Sequence, residues 1–125
     1  MFVEISNAEL IDKLCICQIK INKIQDEKKM INIKKEYDYL FKLVTEELKI
    51  SVKSEEYNNL LNINQELWNV EDLLRIKEEE KKFDEEFIQL ARKVYILNDK
   101  RAILKKDINI KYKSNFIEEK SYKNM

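Results

Sequence analysis

The 125-residue sequence contains no glycine, no proline and no histidine. The absence of glycine and proline removes the residues that most often form tight turns or interrupt helices. Without histidine the chain cannot form a Ser-His or Cys-His nucleophile pair, the usual zinc sites or a carboxylate–histidine di-iron site. Without glycine it also lacks both glycine-rich phosphate-binding motifs. We therefore expect neither a metal ion nor an organic cofactor.

The sequence also lacks an excess of either charge and any long apolar run. Its 24 basic and 24 acidic residues cancel, whereas proteins that bind nucleic acid or anionic lipid usually carry a basic excess. No apolar run approaches the roughly 18 residues of a membrane span, and the first residues, MFVEISNAE, lack the basic region of a signal peptide. We therefore expect a cytoplasmic protein that binds neither nucleic acid nor membranes.

The sequence has only two cysteines, Cys15 and Cys17. Two positions apart on a helix, their side chains point about 200° apart, so they cannot easily form a disulfide with each other. We expect two buried free thiols in a reducing compartment.

Charge is what the sequence has in abundance, since 38% of its residues are charged and apolar residues recur every three or four positions between them. This combination is typical of long helices. It predicts a single all-α domain over residues 1–125, with a short extended N-terminal lead-in, four helices and a non-helical C-terminal tail. The short connections favour antiparallel neighbours, arranged as a bundle or as stacked long hairpins. The fourth helix, ending near Lys111, is expected to be the longest.

Small polar residues precede each helical pattern and predict where the helices begin. The expected N-caps are Ser6, Asp26, Ser54 and Asp84. Ser6 and Glu9 have the spacing of a capping box, in which each side chain bonds the backbone N–H of the other residue.

Two stripes of polar, aromatic and small residues run beside the apolar seams of the third and fourth helices. Their spacing of three and four residues puts each stripe on one helix face. The stripe of the third helix is Leu61, Asn64, Trp68, Glu71 and Arg75. The stripe of the fourth helix is Ala91, Tyr95, Asn98, Ala102, Lys105 and Asn109. Lys13 lies at the edge of the apolar stripe of the first helix.

Arg101 occupies a seam position where the repeat calls for an apolar residue. Burying an unpaired guanidinium costs several kcal/mol, so we expect Arg101 to face a carboxylate. Glu71 is the expected partner, because it borders its own seam at a comparable height if the two helices are antiparallel. Asn64 and Asn98 are expected to flank the pair as hydrogen-bond partners.

Two interpretations of these polar residues remain open. In the first, they satisfy one another and fix the register of the helices, as a single buried asparagine does in coiled coils. In the second, Arg75, Arg101 and Lys105 hold an anionic ligand, and the rings of Trp68 and Tyr95 pack against it. An enclosed cavity of a few hundred Å³ with converging Arg and Lys side chains would favour the second interpretation.

Four segments, taken in order, resemble the motifs of a known family: ELIDKLCICQIK, LWNVEDLLR, FIQLARKVYILNDKRAILKKDIN and EEKSY. The family comprises small bacterial helical proteins of unknown function, with motifs close to ELxDKxTIL, LWxIEDxIR, VYxxNDxRAxIKxxIN and a terminal EEKSY. The resemblance covers nearly the whole chain, although Ala8 and Lys113 stand where the family pattern has glycine. The helical positions that carry it are Asp12, Lys13, Asn64, Trp68, Glu71, Asp72, Arg75, Asn98, Asp99, Arg101, Lys105 and Asn109. In the tail they are Glu118, Glu119, Lys120, Ser121 and Tyr122.

The resemblance implies a link to bacterial surface-glycan biosynthesis, because the family is associated with polysaccharide and glycosyltransferase gene regions, and it implies no activity. We expect a non-enzymatic cytoplasmic adaptor or accessory protein that binds a protein partner or itself. The alternative is a protein or enzyme that binds an anionic metabolite, such as a sugar phosphate or a nucleotide sugar, through an Arg/Lys/Glu cluster between helices. That cluster would consist of Glu71, Arg75, Arg101 and Lys105.

Both functions draw on one set of candidate residues. The candidates for ligand binding or interaction are Lys13, Asn64, Trp68, Glu71, Asp72, Arg75, Tyr95, Asn98, Asp99, Arg101, Lys105 and Asn109. The tail residues from Glu118 to Tyr122 are expected to dock on the helices, with Phe116 and Tyr122 packed against them.

Overall fold

The computed structural model of the chain describes residues 1–121, and within them the fold is all-α, as the sequence predicts. The elements in chain order are α1 (Asn7–Lys23), α2 (Glu27–Lys42), a one-turn π-helix (Leu43–Glu47), α3 (Glu55–Glu79) and α4 (Glu85–Lys111). The 27-residue α4 is the longest of them, which confirms that prediction. The sequence did not predict the π-helix, which extends α2 by one wider turn. Residues 114–121 are non-helical.

The four expected N-caps all form. The side chains of Ser6, Asp26, Ser54 and Asp84 each accept a hydrogen bond from the backbone N–H three residues later. The predicted capping box forms only in this direction, because the Glu9 carboxylate pairs with Lys105 and Lys13 and makes no bond to the Ser6 N–H within the described residues. Glu9 is therefore a bridge between helices.

Three lysines adopt the left-handed backbone conformation that usually selects glycine, with φ near 55° at Lys49, Lys81 and Lys113. At Lys81 and Lys113 the next N–H bonds a carbonyl five residues before it, which closes the C-terminus of α3 or α4 as a Schellman motif. Lys113 is one of the two positions where the resemblance predicts glycine, and its positive φ is a conformation that glycine favours. Ala8, the other, is fully buried, so only a very small side chain fits there.

The apolar core has two parts. The larger part holds side chains from every helix around α1, which is the most enclosed helix and packs against α2, α3 and α4. Its buried members are Ala8, Ile11, Leu14, Cys15, Cys17, Leu40, Val44, Ile50, Tyr57, Leu60 and Ile108. The smaller part holds only α3 and α4 side chains, with Leu67, Val70, Leu90 and Leu97 at its centre.

These two parts define two regions of the molecule. We call residues 65–97 the arm, which is the antiparallel α3–α4 hairpin outside the larger core, and the rest of residues 6–113 the base. Among residues 1–121, no helix is both long enough and apolar enough to cross a membrane.

Candidate functional site

The centre of the base is an ion pair between Asp12 of α1 and Arg101 of α4. Asp12 is only 1% exposed. The Arg101 Nε donates to Asp12 Oδ1 at 3.0 Å, and Arg101 Nη2 donates to Asp12 Oδ2. Asn64 Nδ2 adds a third hydrogen bond to Oδ1 at 2.8 Å, so the buried carboxylate is bound by two helices besides its own. The hydrogen bond to Asp12 raises the pKa of Arg101 further above its ordinary value, so the guanidinium stays charged.

The prediction that Arg101 faces a carboxylate is therefore confirmed, but the predicted partner, Glu71, is wrong. A carboxylate does neutralise the guanidinium, but it comes from α1, while Glu71 lies two turns (about 10 Å) beyond Asn64 along α3 and is exposed. Asn64 and Asn98 do flank the ion pair. They bond to Asp12 and Arg101 respectively and not to each other, since Arg101 Nη1 donates to Asn98 Oδ1 at 3.3 Å.

A second bridge joins the same two helices one turn away. Lys105 Nζ of α4 donates to Glu9 Oε2 of α1 at 2.6 Å. Lys13 approaches the other Glu9 oxygen at 3.9 Å but is exposed, so its contribution is small. Lys13 is thus at the rim of the polar network rather than inside it.

Asn109 connects the start of α1, the end of α4 and the C-terminal tail. Its Oδ1 accepts from the Ala8 backbone N–H at 2.8 Å, and its Nδ2 donates to Glu118 Oε2 at 3.0 Å. The Ser6 hydroxyl donates to the other Glu118 oxygen at 2.6 Å. Burial acts to raise the pKa of Glu118, but these two hydrogen bonds and the nearby charge of Lys105 outweigh it, so the pKa lies below its ordinary value.

The tail therefore docks on the base, but through polar contacts. Besides Glu118, Glu119 pairs with Lys106 at 2.8 Å. Phe116, which was expected to pack against the helices, is 53% exposed, so that part of the prediction is wrong. Ser121 is exposed, and Tyr122 lies outside the described residues.

A small recess opens between α4 and the docked tail. Its volume is about 110 Å³, and it is lined by Asn98, Arg101, Ala102, Lys105, Lys106, Glu118 and Lys120. Four cations and one carboxylate thus converge on a space smaller than the roughly 300–1,000 Å³ of typical small-molecule pockets. A larger, more open groove of about 400 Å³ is lined by Asn59, Asn62, Ile63, Lys100, Ile103 and Leu104, and it carries a single cation.

Apart from Asp99, the remaining candidates lie in the arm, and most of them are exposed. Glu71, Asp72 and Arg75 are exposed and make no hydrogen bond or ion pair with any residue from 1 to 121, while Trp68 is half-buried. The Tyr95 hydroxyl accepts a bond from Arg92 Nε at 3.4 Å, and Asp99 is half-buried.

The expected Arg/Lys/Glu cluster is accordingly divided. Arg101 and Lys105 line the recess in the base, whereas Glu71 and Arg75 are not among its lining residues and lie in the arm. Arg101 and Lys105 lie in the base because they pair with two acids of α1, Asp12 and Glu9 respectively.

Sequence reasoning missed two carboxylates that organise the base, Asp12 and Glu9. Asp12 carried the family resemblance but was not among the candidate binding residues. A signal was present, since Asp12 follows Ile11 and precedes Leu14 and Cys15, all of which are buried in the larger core. A carboxylate on such a face requires a cationic partner.

The two cysteines are buried free thiols, as expected. Burial raises the pKa of both, that of Cys17 to about 11, so neither is a reactive thiolate at neutral pH. Within residues 1–121, no group of three or more His, Cys, Asp or Glu side chains is arranged to hold a metal ion.

The comparisons with known proteins bear on the family alone. No curated protein and no solved structure matches the chain significantly. One family profile matches, and it extends over residues 1–125, which confirms the resemblance to a family without an assigned function. The chain belongs to the family of unknown function DUF6165.

Proposed function

We propose that this protein is a non-enzymatic adaptor whose arm binds a helix of a partner protein. The observation that carries the proposal is the exposure of Glu71, Asp72 and Arg75, which have no partner within the described residues, beside a half-buried Trp68. Exposed charges of this kind add little to the stability of a fold. Tryptophan and arginine are also enriched among the residues that dominate binding at protein interfaces.

The position of these residues supports a helix as the occupant. Asn64, Trp68 and Glu71 share one face of α3 by their spacing, and at Asn64 that face is covered by α1 through Asp12. Within residues 1–121, no third helix packs into the core of the arm, where the same face continues. On α4 the exposed Ala91 and Tyr95 extend the stripe of Asn98 in the same way, and a small residue such as alanine lets another backbone approach closely.

The charges of the arm define the chemistry of that partner helix. Glu71 and Asp72 require a basic residue, and Arg75, one turn further along α3, requires an acidic one. We propose a partner helix that carries both signs one turn apart around an apolar residue that packs on Trp68.

The alternative function, an enzyme or binder that encloses an anionic metabolite between helices, has less support. The Asp12 carboxylate is buried and bonded to Arg101 and Asn64, so it is not available as an acid or base for a dissolved substrate. The recess beside Arg101 and Lys105 is too small for a nucleotide sugar.

The setting that we propose is the bacterial cytoplasm, where the adaptor would serve surface-glycan biosynthesis. The sequence resemblance supports this setting, because the family is associated with polysaccharide and glycosyltransferase gene regions. The partner would then be a protein of that assembly.

Site-specific photocrosslinking in the native host tests the proposal. A crosslinking residue at position 72 should capture one defined protein, and the same residue at exposed position 66, about 120° away around α3, should not. With the captured protein purified, the charge exchange Glu71→Arg/Arg75→Glu should weaken binding at least tenfold while the melting temperature stays the same. The matched control Glu66→Arg should bind as the wild type does.

Two results would overturn the adaptor function. Equal capture at positions 66 and 72 would mean that the arm face has no specific partner. Capture of a second copy of this chain, with a dimer in sedimentation, would make the arm a self-association surface instead.

A further inference from the structure

We propose that the recess between α4 and the docked tail binds a phosphoryl group, which belongs either to free phosphate or to a phosphate monoester. The recess is separate from the arm, so the proposal does not rest on the adaptor function. Its cationic wall consists of Arg101, Lys105, Lys106 and Lys120.

The size of the recess fits such a group. A volume of about 110 Å³ exceeds the roughly 10–15 Å³ that a cavity needs to hold one water molecule and is well below that of typical metabolite pockets. A phosphate has five heavy atoms, so the recess admits it with one face left open. A larger metabolite would have to keep the rest of its structure in solvent.

Arg101 has hydrogen-bond donors left over for this ligand. A guanidinium carries five N–H groups, and three are used, on Nε and Nη2 by Asp12 and on Nη1 by Asn98. The other two, one on each Nη, have no protein partner within residues 1–121. Because Asp12 is buried and binds Nε and Nη2 together, the guanidinium is held in place before any ligand arrives, and it lines the recess.

The two lysines of α4 add charge beside it. Lys105 uses one of its three N–H groups on Glu9, and Lys106 pairs with Glu119 at the surface. Glu9, Glu119 and Asp12 neutralise these cations, but none of the three is a lining residue. The recess is therefore lined by the cation of each of these pairs and not by its acid.

Glu118 is the one carboxylate among the residues that line the recess, and both of its oxygens already have hydrogen-bond donors. Its two oxygens accept from the Ser6 hydroxyl and the Asn109 amide, so they are occupied by donors outside the recess. Glu118 and Lys120 come from the tail, and the other lining residues come from α4. A bound phosphoryl group would thus contact both segments, and its binding would favour the docked tail.

A titration of the full-length protein with inorganic phosphate, followed by calorimetry at constant ionic strength, tests the site. We expect a dissociation constant in the millimolar range for the wild type. The double variant Lys105→Gln/Lys106→Gln should bind at least tenfold more weakly. The matched control Lys93→Gln/Lys100→Gln removes the same charge from exposed positions of α4 outside the recess, and it should bind as the wild type does.

A second variant keeps every charge and fills the space. Ala102→Leu places a larger side chain in the recess wall, so phosphate binding should be lost while the melting temperature in chloride is retained. Wild-type affinity in Ala102→Leu would overturn the proposal, and so would equal weakening in the two double variants.

The ligand series separates the two sources of the phosphoryl group. Tighter binding of glycerol phosphate than of inorganic phosphate would identify a phosphorylated metabolite, and equal or weaker binding would identify free phosphate. Equal affinity for acetate, or a response that chloride at the same ionic strength reproduces, would contradict a phosphoryl site. None of these outcomes depends on the arm, so they leave the adaptor function untouched.

Discussion

Both α3 and α4 run through the base and the arm, yet their polar stripes have different surroundings in the two regions. In the base, α1 covers the stripes, and Asn64, Arg101 and Asn109 are each hydrogen-bonded to a residue of another segment. In the arm the stripes continue with the same spacing, but Glu71 and Arg75 face solvent. Helical spacing therefore identifies a polar face, and only a third helix decides whether that face becomes a structural network or an open surface.

The largest expected difference between the two regions is in the cost of a cavity. Leu60, fully buried in the base, is surrounded by several helices, whereas Leu67 in the arm core contacts only α3 and α4 side chains. We expect Leu60→Ala to lower the free energy of unfolding by about 4 kcal/mol and Leu67→Ala by about 2 kcal/mol, because the arm can collapse into the space. Urea denaturation measures both values. Equal losses would show that the arm is packed as tightly as the base.

The next test removes the ion pair that distinguishes the base. Asp12→Ala leaves the Arg101 guanidinium without its carboxylate, so we expect a loss of about 3 kcal/mol in the free energy of unfolding. Asp12→Leu with Arg101→Met removes both charges and should recover much of that loss. Glu71→Ala in the arm should change stability by less than about 0.5 kcal/mol. Strictly additive effects of the single substitutions at positions 12 and 101 would refute the coupling.

Acid should release the tail from the base. The pKa of Glu118 is lowered in the folded state, so its stabilising effect is complete above the ordinary value of 4.5 and is lost as the pH falls through the lower folded-state value. Glu118→Gln should cost about 1 kcal/mol at neutral pH and remove this pH dependence. Amide exchange of residues 114–121 measures the docking.

The control for Glu118 is its neighbour Glu119, which pairs with Lys106 at the surface. Glu119→Gln should leave both the stability and the pH dependence nearly unchanged. An acid transition of the tail that persists in Glu118→Gln would point to another group.

The smallest expected effect is a gain at the tip of the arm. Lys81 has φ near 55°, which costs a non-glycine residue about 1 kcal/mol. Lys81→Gly relieves that cost but makes the unfolded chain more flexible, so the net gain should be about 0.5 kcal/mol. Lys82→Gly, at a neighbouring position with ordinary φ, should instead lose stability. Thermal melting measures the stability of both variants. Stability gains of the same size in both would show that the effect does not depend on the positive φ of Lys81.

Local features of this fold could be read from the sequence, because neighbouring residues determine them. The N-caps Ser6 and Ser54 lie next to the helices they start, and the long apolar repeat of α4 defines that helix. The requirement that Arg101 meet an acid could also be predicted, since it depends on the cost of burying one charge.

The identity of that acid could not be predicted, because it depends on where α1 packs across the hairpin. Asp12 and Glu71 are equally acidic in the sequence, and only the three-dimensional arrangement puts one against Arg101 and the other in solvent. The docked tail shows the same limit. The motif EEKSY predicts that the tail docks, but the contacts run through Glu118 and Asn109 instead of through Phe116.

The length of the arm gives this protein a fixed reach. From Gln65 to Glu79, α3 extends for about 22 Å at 1.5 Å per residue, and its pairing with α4 makes it a stiff rod. A partner bound at Glu71 to Arg75, the site that we propose, would be kept at least about 9 Å from the base, since Glu71 lies six residues beyond Gln65. A ligand of the base could then be bound at the same time without touching it, and each would raise the local concentration of the other. Lengthening the arm by whole turns would change that distance in steps of about 5.4 Å.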